Sequence, residues 1–134
     1  MQKTTFVPSL VIAHGITDIS FYTNAFGAIE LHRWTNDDGS IHVAELEIDG
    51  AMFHLQEERE YKDWLRPGNK DCTTVGIELM VEDVHAVFNK AIAAGATLVT
   101  EVTDYEYNYR QGELIDPFGH HWIIEKILKR DNLK

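Results

Sequence analysis

The second half of this chain repeats its first, and that constrains the fold more than any other feature. Phe26-Gly27-Ala28 returns as Ala94-Gly95-Ala96, and Ile48-Asp49-Gly50 returns as Ile115-Asp116-Pro117, at offsets of 68 and 67. In each half a β-rich run precedes a helical stretch, and three further β-like segments follow. Self-similarity on this scale outranks the propensity of any single window. The reading is a duplicated βαβββ unit of about sixty residues. A four-stranded sheet with one helix on its back leaves its other face free, so two such sheets can curve together around a central cavity. The expected class is α+β, with residues 1–134 forming one domain. Within it lie a module at 1–58, a connector at 59–73, a module at 74–128 and a tail at 129–134.

Local signals place the elements. Residues 6–13, 28–34, 41–48 and 51–56 read as strands, with turn signals at Asn36–Gly39 and the hairpin pair Asp49-Gly50. Thr17 or Asp18 can cap a helix carrying Ile19, Tyr22 and Phe26, with Gly27 just past its end. In the second half, strands are expected at 74–81, 97–102, 110–115 and 120–127. Glu82 or Asp83 caps a helix whose apolar face is Val84, Val87, Phe88, Ala91 and Ile92, and Gly95 ends it. The charged stretch Glu57–Thr73, broken by Pro67-Gly68, has no strand pattern and is expected to hold one helical turn around Trp64 and Leu65.

Asp116-Pro117-Phe118-Gly119 has the composition of a type I turn. Beyond it His121, Ile123 and Glu125 share one strand face, and His120, Trp122 and Ile124 share the other. A strand greasy behind and ionisable in front lines a pocket or a solvated face.

Twenty-two acids against twelve bases give a formal charge of −10, which argues against nucleic acid as a partner, since phosphate binding needs a basic patch, and favours cationic or neutral ligands. Lys126, Lys129, Arg130 and Lys134 read as a solvated tail. No apolar run approaches the ~20 residues needed to span a bilayer, and the N-terminus has no secretory pattern. Cys72 is the only cysteine, so no internal disulfide forms, and a reducing cytoplasm is the expected compartment. Nothing nearby in sequence activates that thiol. Walker A, dinucleotide and nucleophile-elbow motifs are absent from the sequence.

Three stretches carry a family resemblance. FYTNAFGAIEL, VEDVHAVFNKAIAAGATLV and YNYRQGELIDPFGHHWIIE resemble the PhnB-like branch of the vicinal oxygen chelate superfamily. That superfamily includes glyoxalase I, bleomycin-resistance proteins, fosfomycin-resistance enzymes and extradiol dioxygenases. The likeness implies a small-molecule cavity, a homodimer and lyase, isomerase or dioxygenase chemistry. In metal members, four equivalent strand positions each supply a ligand. Here they fall on Val7, His54, Gly76 and Ile123, of which only His54 is a donor.

Three readings of the remaining ionisable residues stand open. His54, Glu78, His121 and Glu125 would form a displaced site for Zn, Ni, Mn or Fe. His54 or Glu125 would instead move a proton without metal, as catalytic acid or base. Alternatively the carboxylates pair with cations or reach solvent, and His54 is simply hydrogen-bonded. Arg110 is positioned to clamp a ligand anion or to tie the loop Asp104–Asn108. Tyr105, Tyr107 and Tyr109 offer rings to an aromatic ligand or pack on a sheet edge. Trp34 and Trp122 read as core, and Trp64 as a pocket lid or subunit contact. The functional alternatives are an enzyme, a protein that sequesters an aromatic or cationic compound without turnover, and a scaffold built from the paired sheets.

Overall fold

The computed structural model describes residues 2–68 and 73–130. Cys72 and Lys134 therefore lie outside the described residues. The first unit runs β1 (Ser9–Ile12), α1 (Ser20–Phe26), β2 (Ile29–Thr35), β3 (Ile41–Ile48) and β4 (Ala51–Glu57). The second runs β5 (Gly76–Met80), α2 (Val84–Ala93), β6 (Thr97–Asp104), β7 (Tyr109–Ile115) and β8 (His121–Ile127). Each forms a mixed four-stranded sheet, in the orders β1-β4-β3-β2 and β5-β8-β7-β6. The first strand of each unit pairs parallel with the last, and the remaining ladders are antiparallel. The α+β architecture expected from the repeat is the one observed.

Local chemistry accounts for the boundaries. Asp83 caps α2 by accepting the Ala86 N–H at 3.0 Å. At α1 the N-cap is Ile19, without a side-chain cap, rather than Thr17 or Asp18; the Asp18 carboxylate accepts the Ser20 N–H at 2.9 Å just ahead of the helix, and Gly27 closes it at φ 69°. Asp49 (φ 48°) and Gly50 (φ 88°) both adopt the left-handed conformation that a two-residue hairpin needs. In the charged stretch the helical turn is a 3₁₀ turn at Glu60–Lys62, earlier than expected, and Arg59 bridges to Trp64 behind it.

What the chain buries is the helix-bearing side of both sheets. There α1 packs against α2, and residues of both units form one apolar core. Tyr22 of α1 is fully buried among Phe53 of the first sheet, Phe118 of the β7–β8 turn and Trp122 of the second sheet, with ring centroids 5.3, 5.8 and 6.1 Å away. Trp122 is core, as its strand position implied. Trp34 is not. On the edge strand β2 it is 44% exposed, edge-on to His32, because an outer strand has no neighbour to cover it.

Asp116 holds this junction together. One carboxylate oxygen accepts the Phe118 and His120 N–H groups at 2.9 and 3.0 Å, the Asx-turn geometry expected of its tetrapeptide. The other accepts the Tyr22 hydroxyl at 2.6 Å and the Trp122 indole N–H at 2.9 Å. His120 Nε2 donates to the Val11 carbonyl at 2.8 Å, tying the same turn to β1. No helix among the described residues is long and apolar enough to cross a membrane.

Candidate functional site

With the helix-bearing faces buried, alternation along each strand sends the other set of side chains to the helix-free faces. On the second sheet these include Glu125, His121 and Ile123 of β8. Ile123 lies across from Glu78 of β5, and Glu125 across from Gln111 of β7. Glu125 is only 1% exposed. Its Oε1 accepts the Gln111 amide at 2.7 Å, and Gln111 in turn accepts the Tyr107 hydroxyl at 2.5 Å. Burial pushes the Glu125 carboxyl above its ordinary range, Gln111 pulls it part of the way back, and the facing Glu78 pushes it up again. His121 is half-buried at the start of the same face, across from Gly76 and Ile115.

On the first sheet His54 lies across from Ser9 and Glu45. Its Nε2 is buried without a hydrogen-bond partner, with Glu45 Oε2 3.7 Å away. The next residue on that face, Gln56, donates to Ser9 Oγ at 2.8 Å and accepts from Arg59 at 2.9 Å. Val7, Gly76 and Ile123 bring no donor side chain to His54, so these four positions do not make a metal site.

The other candidates find protein partners. Arg110 donates through Nε and Nη2 to both oxygens of Asp104, at 2.7 and 3.0 Å, tying the end of β6 to β7. Tyr105 stacks on Tyr107 with centroids 5.2 Å apart, and Tyr107 leans on Tyr109. Trp64, 37% exposed and 5.7 Å beneath the Arg59 guanidinium, lines a cleft of ≈ 760 Å³ with Pro8, Val75 and His120.

Among the described residues, one set of three His or carboxylate ligands has its atoms within 4.8 Å of one another: His14, Glu58 and Glu60. His54, Glu78, His121 and Glu125 do not form such a set. This cluster is hidden in the sequence because His14 lies in a loop and Glu58 and Glu60 lie in a charged connector. A signal was present. A βαβββ unit pairs its first and last strands in parallel, so residues just after β1 and just after β4 emerge side by side.

Residues 18–124 match the family model described as Glyoxalase/Bleomycin resistance protein/Dioxygenase superfamily. An uncharacterized protein of Mycobacterium bovis is 36% identical over 129 residues, covering 94% of this chain and 85% of its own length. A Mycobacterium tuberculosis counterpart has the same identity over 94% and 76%. Among solved structures, an Arabidopsis thaliana gene product is 28% identical over 92% of this chain and 98% of its own, with a TM-score of 0.65. The fosfomycin resistance protein FosX of Listeria monocytogenes superposes with a TM-score of 0.68 over 94% of each chain at 15% identity, a likeness of fold alone. A variant of FosX has been crystallised with manganese(II) and 1S,2S-dihydroxypropylphosphonic acid.

Proposed function

Because the chain belongs to the Glyoxalase/Bleomycin resistance protein/Dioxygenase superfamily, we propose that the helix-free face of its second sheet walls a small-molecule cavity, with Glu125 as the proton-carrying group. The observation that carries this reading is a carboxyl only 1% exposed, with one amide donor and a second carboxylate facing it. Such a group lacks the cation that usually accompanies a buried acid. It suits a ligand that presents a hydroxyl or ammonium group, and the chain's charge of −10 favours the same ligands. A carboxyl titrating above its ordinary range beside a carboxylate can take a proton from carbon and return it elsewhere, which is the step of a lyase or isomerase.

The superfamily's metal site does not fit here. Its strand positions bring one imidazole and three residues without donor side chains. The unpartnered Nε2 of His54 supports a second reading, in which the helix-free face of the first sheet binds an aromatic or cationic compound without turnover. The turn from Asp116 to Trp122 supports placement in the PhnB-like branch, and a homodimer is the assembly that goes with it.

A thermal-shift screen of neutral and cationic small molecules tests the proposal. The expected result is saturable stabilisation of the wild type by at least one chemical class, lost in Glu125→Gln while the variant stays folded. Turnover of that class by wild type and not by the variant would separate enzyme from binder. No response to any class, or the same response in both proteins, would end the reading.

A further inference from the structure

A second polar cluster stands at the carboxyl ends of β1 and β4, off the helix-free faces. These parallel neighbours pair Ile12 with Glu57, and the Glu58 N–H donates to the Ile12 carbonyl at 2.9 Å. His14, two residues beyond β1, therefore lands beside Glu57, Glu58 and Glu60. We propose that His14, Glu58 and Glu60 bind a divalent transition-metal ion of the zinc class, with Glu57 as the positioning carboxylate behind the imidazole.

Two independent features support this. The first is the donor set. One nitrogen and two carboxylate oxygens lie within 4.8 Å of one another, where a bound ion would draw them to bond lengths of about 2.0–2.2 Å. The exposed Glu60 side chain, at 74%, is free to make that movement. A mixed nitrogen and oxygen set favours zinc and its divalent first-row neighbours over calcium or magnesium, which take oxygen throughout.

The second feature is the support behind the donors. His14 Nδ1 donates to Glu57 Oε2 at 3.1 Å. A neutral ring in that tautomer presents its Nε2 lone pair, and Nε2 lies 3.4 Å from Glu60 Oε1. Two lone pairs facing at that separation need a proton or a cation between them. A carboxylate on the far nitrogen is the usual orienting partner of a metal-bound histidine. Glu57 is itself fixed, accepting His42 Nδ1 at 2.8 Å and the Asn36 amide at 3.2 Å. Glu58, 8% exposed, is anchored by Arg66 Nη1 at 2.5 Å on Oε2, and the longer 3.3 Å bond from Arg66 N to Oε1 is the one an ion would displace.

The test is calorimetric titration of the chelator-stripped full chain with zinc chloride, repeated with cobalt(II) for its visible spectrum. One ion per chain is expected. His14→Ala and Glu60→Gln should each weaken binding at least tenfold, and Glu57→Gln should weaken it about tenfold through the imidazole. Glu60 is exposed enough that its variant will fold whatever happens to His14→Ala. His54→Ala and Glu125→Gln should bind zinc like wild type, which keeps this site separate from the proposed cavity. The proposal is overturned by several weak ions indifferent to all variants, by binding that follows His54 or Glu125, or by a cobalt–thiolate band assigning the ion to Cys72.

Discussion

At the residue scale, Asp116 and Glu125 are both buried carboxyl groups, and opposite surroundings give them opposite roles. Asp116 collects four donors on two oxygens, so its charge is matched within the fold. Replacing it with Ala leaves two backbone N–H groups, a hydroxyl and an indole unsatisfied in the core. The expected loss is about 3 kcal/mol, against about 1–2 kcal/mol for Tyr22→Phe, measured by urea denaturation. Equal losses from the two variants would show that the carboxylate does not integrate the turn. Glu125 has a single donor, and its folded-state pKa is raised above the ordinary 4.5, mainly by burial. The stability it contributes is therefore present below about pH 4.5 and lost as pH rises through the folded value. Glu125→Gln should thus raise the melting temperature at neutral pH, with the gain disappearing in acid. A variant that is weaker at pH 7 would mean the carboxylate is ionised and favourably held. The sequence announced Asp116 as a turn residue, but it could not show that Tyr22, 94 positions earlier, would use its second oxygen.

At the scale of elements, periodicity located both α-helices and the eight strands of the described residues, because alternation is a local property, although the cap of α1 fell on Ile19 rather than Thr17 or Asp18. It failed where the neighbour decides. Trp34 is apolar enough for a core, yet an edge strand has a partner on one side only. Gly112 shows the converse, a glycine whose reason lies in another element. A Cβ there would come within 2.7 Å of the Phe88 ring on α2 and 2.9 Å of Val102 on β6. Its missing side chain lets the helix lie close on the sheet. Gly112→Ala is expected to cost about 1–3 kcal/mol by overpacking, and Phe88→Leu in the same chain should recover part of that loss. An alanine variant melting with the wild type would mean that the ring moves aside freely. The metal-type cluster escaped notice for the same reason, since its donors converge only when β1 and β4 are set side by side.

On the scale of the whole molecule, the repeat identified two modules and suggested that their helix-free faces meet, but it did not fix which faces pack together. Each half's pattern of apolar positions is the same whether a module packs on its sister in the chain or on another copy. The join seen here is on the helix side, where α1 meets α2 and Tyr22 and Phe26 of the first unit lie against Trp122 of the second. Neither unit can bury its own helix without the other, for a lone second module would expose Trp122 and leave Asp116 short of its Tyr22 donor. Modular ancestry therefore predicts two folding units, whereas the packing predicts one. The packing argument is the stronger, because burying several aromatic side chains at ≈ 1.5–3 kcal/mol apiece is comparable to the whole stability of a domain this size. Equilibrium urea unfolding should show one transition, coincident by far-UV circular dichroism, by the fluorescence of a chain retaining only Trp34 and by that of a chain retaining only Trp122. Trp34 reports the first sheet's edge and Trp122 the shared core, so independent modules would separate the two curves. An excised second module that folded alone would contradict the shared core directly.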